Sequence, residues 1–131
     1  TDYLDLQGLS DNARRKWVDG FLWFHRRLAL RHGRPLILKS PPHTARIKLL
    51  IELFPDAKFI HLARNPLDVV PSTVKLWRAL YSTQGLHNPP KLKGWLEDYV
   101  LRVFQRLSHR YEADRELIPD GQLVEITMEA L

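Results

Sequence analysis

At 131 residues, 44% of them hydrophobic, with four Trp and five Phe, the chain has apolar material for one domain with a real core. Lys and Arg outnumber Asp and Glu by 20 to 15, a formal charge of +5 that suits a phosphate-bearing or sulfated ligand, or nucleic acid. The lack of cysteine excludes disulfides and thiolate metal sites, and no apolar run reaches membrane-spanning length.

The one methionine is Met128, so Thr1 is not a translation start, and the 131 residues are expected to be a piece of a longer protein. Ser10 is placed to cap a helix over 11–32. Trp17, Phe21, Phe24 and Leu28 repeat on it at helical spacing, and Gly33 is a natural stop. The remaining faces carry Arg14, Arg15, Lys16, Arg26, Arg27 and Arg31, which read as a solvated surface.

Pro35 admits Leu36-Ile37-Leu38-Lys39, a short apolar run expected as a strand that ends on a cation. Ser40-Pro41-Pro42-His43 is the loop after it. Ser40 or Thr44 begins a helix with Ile47, Leu50, Ile51 and Phe54 as its apolar stripe, which Pro55-Asp56 ends. Phe59, Ile60, Leu62 and Ala63 form the next strand, which stops at Arg64. This order makes a βαβ unit, within a βαβ core over 36–81, and its right-handed crossover would set Lys39 and Arg64 on one rim of a parallel sheet.

Asn65 caps a following helix. Pro66 sits where helices tolerate proline best, and Asp68 lies three residues after the cap. Pro71 should kink or restart that helix near Ser72, because it lacks an N–H for the bond back to Leu67. A loop over 82–91, a helix over 92–115 and a strand over 122–127 complete a single domain, 1–131, of α/β class.

In open α/β sheets ligands bind at the carboxyl ends of strands, and Arg64 stands at such an end beside a helix start. Its guanidinium and the Ser72 hydroxyl, eight residues on, can converge on one phosphate; the alternative is a surface ion pair and a solvated serine. Lys39 can offset charge on a leaving group, or stand in water. His43 can act as a general base, since imidazole titrates near neutral pH, or serve as a cap or surface residue. His61, inside a strand, reads as a satisfied core or interface histidine. No spacing of histidines and carboxylates assembles a metal site, and no glycine-rich phosphate loop is present.

From Leu36 to Ser72 the chain resembles the sulfotransferases that use 3′-phosphoadenosine 5′-phosphosulfate (PAPS), closest to their bacterial-type branch. The resemblance rests on Leu-Lys-Ser-Pro-Pro-His, Leu-Phe-Pro-Asp-Ala-Lys-Phe-Ile-His and Arg-Asn-Pro-Leu-Asp-Val-Val-Pro-Ser, and extends more weakly through the helix from Trp95 to the segment 123–131. It implies a partial P-loop-like three-layer fold, a parallel sheet flanked by helices, in which Arg64 and Ser72 bind the 3′-phosphate of PAPS. It also implies that Lys39 lies near the transferred sulfuryl group. In many cytosolic relatives a catalytic histidine follows that lysine by two positions; here Pro41 stands there and His43 comes two residues later.

The family's 5′-phosphosulfate loop and late glycine-rich stretch fall outside the 131 residues, so this piece alone is expected to be inactive. The reaction the resemblance implies is transfer of a sulfuryl group from PAPS, a nucleotide co-substrate, to an acceptor hydroxyl or amine on a small molecule or glycan, with no metal. Nucleic acid is not an expected partner, no membrane span is expected, and a cytoplasmic location is favoured. A nucleotide kinase-like phosphotransferase and a non-catalytic polyanion-binding fragment are the alternatives.

Overall fold

The computed structural model describes residues 3–85 and 94–128. Helix α1 spans Asp11–His32. The Ser10 hydroxyl accepts from the Ala13 N–H at its start, and Gly33 closes it in the left-handed region at φ 59°, returning its own N–H to the Ala29 carbonyl. Trp17 stacks on Phe21, and Phe21 lies 6.2 Å from Phe54. The apolar stripe therefore joins α1 to the segment that follows it.

Residues 36–39 run as irregular backbone rather than as the expected strand. An apolar run becomes a strand only when a neighbour supplies a ladder, and none of the described strands pairs here; Ile37 is left 96% exposed. A 3-10 turn, Pro41–Ala45, and helix α2, Ile47–Leu53, follow. In α2, Ile47, Leu49 and Leu50 are buried.

Strand β1, Phe59–Ala63, pairs in parallel with β2, Leu123–Thr127, with Phe59 opposite Leu123 and Ala63 opposite Thr127. The parallel crossover thus runs from β1 to β2 through helices α3, Pro66–Gln84, and α4, Trp95–Asp114. It is not the 36–63 unit expected from the sequence, and the sheet gives Lys39 and Arg64 no common rim. The class is mixed α/β with a parallel sheet flanked by helices, as the sequence led one to expect.

Two clusters hold the chain together, and α4 belongs to both. In the first, Ile47 of α2, Tyr111 of α4 and Ile118 pack with Phe59 and Leu123 from one face of the sheet. In the second, Val74 of α3 meets Leu96 and Val100 of α4, with Val70 and Tyr99 beside them. Burial at the usual ~25 cal/mol per Å² of apolar surface makes these contacts the main source of stability. The opposite face of the sheet leaves Ile60, Leu62 and Val124 exposed.

Pro71 does not restart α3, which is one helix from Pro66 to Gln84. It is only the sixth helical residue and withholds a single bond, from the carbonyl of the well-exposed Leu67. The same helix takes in residues 82–84 of the expected loop, and 86–91 of it lie outside the described residues.

Candidate functional site

Arg64 follows the last residue of β1. Behind it, the first turn of α3 is already closed: the Asn65 side chain accepts from the Leu67 N–H at 3.0 Å, and the Asn65 carbonyl accepts from the Asp68 and Val69 N–H groups. Pro66 has none to offer. The helix start thus presents few free donors, and attraction for an anion falls to Arg64. That side chain is exposed and forms no ion pair among the described residues.

Ser72 stands on the exposed side of α3, its hydroxyl donating to the Val69 carbonyl at 2.9 Å. Seven residues of helix separate it from Asn65, roughly 10 Å along the axis, a span that a long arginine side chain can shorten. To donate to a ligand, the Ser72 hydroxyl must turn away from the carbonyl.

Lys39 and His43 meet elsewhere, around a cavity of about 390 Å³ between α1 and the 37–46 segment. Trp17, Phe21, Phe24 and Leu28 of α1 supply its apolar wall. Arg64 and Ser72 take no part in that lining. The two pairs proposed from the sequence therefore occupy separate places.

His43 sits edge-on to the Phe21 ring at 5.9 Å, its Nδ1 shut away from solvent without a hydrogen-bond partner. Its Nε2 is then the nitrogen open to the cavity. Burial, reinforced by the Arg46 charge and by electrostatic interaction with His25, pushes the imidazole below its ordinary value and keeps it neutral near pH 7. A neutral ring with an open nitrogen can accept a proton.

The roles of Arg46 and His25 were not legible in the sequence. Arg46 is buried, with Nε donating to the Leu4 carbonyl at 2.9 Å, Nη2 to the Tyr3 carbonyl, and its guanidinium 4.7 Å from the centre of the Trp17 ring. Burial lowers it from its ordinary value while the Asp5 charge opposes that change, so it stays a cation at the cavity wall. His25, with Nδ1 2.7 Å from the Phe21 carbonyl, lines the same cavity. Neither position follows a local pattern, since both come from α1 folding against the segment after it.

His61 is a satisfied histidine, as read from its place in the strand. It stacks on Tyr111 at 3.8 Å and its Nδ1 lies 3.3 Å from Glu125. The Tyr111 hydroxyl donates to the same carboxylate; burial, with that bond, pushes the phenol well above its ordinary value. Among the described residues no three His, Asp or Glu converge as a metal site.

Fold and site together define an α/β domain with an exposed cation at a strand end and a separate apolar cavity bearing a lysine and a neutral histidine. Residues 7–131 match the Sulfotransferase family, and the chain belongs to it. It is 37% identical over 130 residues to a protein of Mycobacterium bovis named omega-hydroxy-beta-dihydromenaquinone-9 sulfotransferase Stf3, and equally to the protein of that name in Mycobacterium tuberculosis. Each match covers 99% of this chain and 33% of the relative, so the chain spans about a third of the length of the curated relatives it matches. No solved structure gives a significant match.

Proposed function

We propose that the protein to which this chain belongs transfers a sulfuryl group from PAPS to an acceptor hydroxyl or amine, with this chain carrying the 3′-phosphate half of the nucleotide site. The observation that carries the reading is the exposed Arg64 guanidinium at the end of β1, without an ion pair among the described residues, in a chain of the sulfotransferase family. The donor set fits: a guanidinium offers a planar fork to phosphate oxygens, and the Ser72 hydroxyl adds one bond when it turns from Val69. PAPS supplies an activated sulfuryl group.

Lys39 then offsets negative charge that develops on the leaving oxygen, and Nε2 of His43 takes the acceptor's proton. The wall of Trp17, Phe21, Phe24 and Leu28 favours an apolar acceptor over a glycan. By their names the mycobacterial relatives act on an omega-hydroxylated menaquinone, a molecule with an apolar body and a hydroxyl. An acceptor of that kind suits this cavity.

The test is calorimetric titration of the full-length protein with 3′-phosphoadenosine 5′-phosphate and with its 3′-dephosphorylated analogue. Arg64→Ala should weaken the first by roughly 10- to 100-fold, the worth of a charge-assisted hydrogen bond, and leave the second nearly unchanged. Equal losses for both ligands would sink the assignment. An anion site for ATP, the phosphotransferase alternative, predicts tighter binding of ATP than of the 3′-phosphorylated nucleotide.

A further inference from the structure

The outward face of α1 is unusual for a solvated helix. Trp17, Phe21 and Leu28 turn inward, yet Trp23 and Leu30, seven residues apart and so on one outward stripe, are 55% and 85% exposed. Arg26, Arg27 and Arg31 stand exposed around them, and the Arg27 guanidinium lies 3.8 Å from the centre of the Trp23 ring. Arg34 continues the basic run just beyond the helix. None of these four arginines forms an ion pair among the described residues.

Charge is segregated along the chain to match. From Gly20 to Ile51 there are seven Lys and Arg and no Asp or Glu, although the whole chain is only +5. No helix is long and apolar enough to cross a bilayer. A helix with cations interleaved among exposed Trp and Leu instead has the pattern of one that lies in a membrane surface.

We infer that the outward face of the C-terminal half of α1, with Arg34 just beyond it, docks on the surface of an anionic lipid bilayer. Trp23 and Leu30 enter the boundary between headgroups and acyl chains, while Arg26, Arg27, Arg31 and Arg34 meet lipid phosphates. A hydrophilic polyanion, whether nucleic acid or sulfated glycan, would leave Trp23 and Leu30 in water; a bilayer covers them.

The full-length protein is tested by cosedimentation with vesicles of phosphatidylcholine, with and without phosphatidylglycerol, at one fixed salt concentration. Binding to the anionic vesicles should be roughly 100-fold tighter or more, given the usual contribution of each arginine near such a surface. The triple variant Arg26→Ser, Arg27→Ser, Arg31→Ser should lose about that factor. Trp23→Ser with Leu30→Ser should cut vesicle binding at least about tenfold while leaving heparin binding unchanged, since only the bilayer uses the apolar pair. Leu30→Glu alone, at a solvated position where folding is undisturbed, should show the same loss. Equal binding to both vesicle types, indifference to the Trp23 and Leu30 changes, or tighter binding to heparin or RNA than to anionic vesicles would overturn the proposal. No outcome depends on sulfotransferase activity, so failure here leaves the proposed reaction standing.

Discussion

Arg106 holds Asp5 through two bonds, Nε to Oδ2 at 2.8 Å and Nη2 to Oδ1 at 2.7 Å, across 101 positions of sequence. The Asp5 side chain is 2% exposed and takes a third bond from the Gln7 N–H. Burial alone would raise this carboxyl, but the Arg106 bonds, the Gln7 N–H and the Arg106 charge together hold it below the ordinary carboxylate value. Asp5→Ala should lower stability by about 1.5–3 kcal/mol, read as a shift of the urea midpoint. Because the folded carboxyl is the stronger acid, its contribution is present above the ordinary carboxylate range and disappears as pH falls through the folded value. The difference between wild type and Asp5→Ala should therefore shrink in acid.

His43 gives the opposite signature. Its ring is held neutral in the folded chain, so the unfolded chain binds the proton more readily. Its contribution is complete above the ordinary imidazole pKa of about 6.5 and is lost as pH falls below it. Chemical denaturation followed from about pH 8 to about pH 5.5 should show wild type losing more stability than His43→Asn. Parallel curves would mean that the buried Nδ1 does not restrain protonation.

Leu96 is 1% exposed at the meeting of α3 and α4. Leu96→Ala should cost about 2–5 kcal/mol, from lost burial plus the cavity left behind. Thermal unfolding by circular dichroism reads this directly, and a loss under about 1 kcal/mol would show that the α3–α4 contact is loosely packed.

Pro71 sits inside α3 without an N–H for the Leu67 carbonyl. Pro71→Ala should restore that bond and stabilise the chain by up to about 3 kcal/mol, the usual helix-interior difference between the two residues. A neutral or destabilising result would show that the proline ring makes contacts α3 needs.

Much of this protein was legible locally. Ser10 and Gly33 bound α1, Asn65 with Pro66 starts α3, and the short apolar run at Phe59–Ala63 makes a strand, because caps, φ preferences and short apolar runs are read within a few residues. The strand end at Arg64 came from the same local rules. Partners were not legible. Leu36-Ile37-Leu38 carries a strand's composition, but a strand exists only where another supplies hydrogen bonds, and β1 pairs instead with a segment some sixty residues later.

The cavity is the clearest case of what only the tertiary structure decided. Periodicity turned Trp17, Phe21 and Leu28 inward but could not say that Lys39 and His43 would face them, nor that Arg46 would be buried against Trp17 beside the Tyr3 and Leu4 carbonyls. Sequence alone determined which side chains each element presents and where its ends lie, because those are set by short-range sterics and hydrogen bonds. Which elements meet, and hence that the cation at the strand end and the lysine–histidine pair stand at separate places, depended on long-range burial that no local window contains.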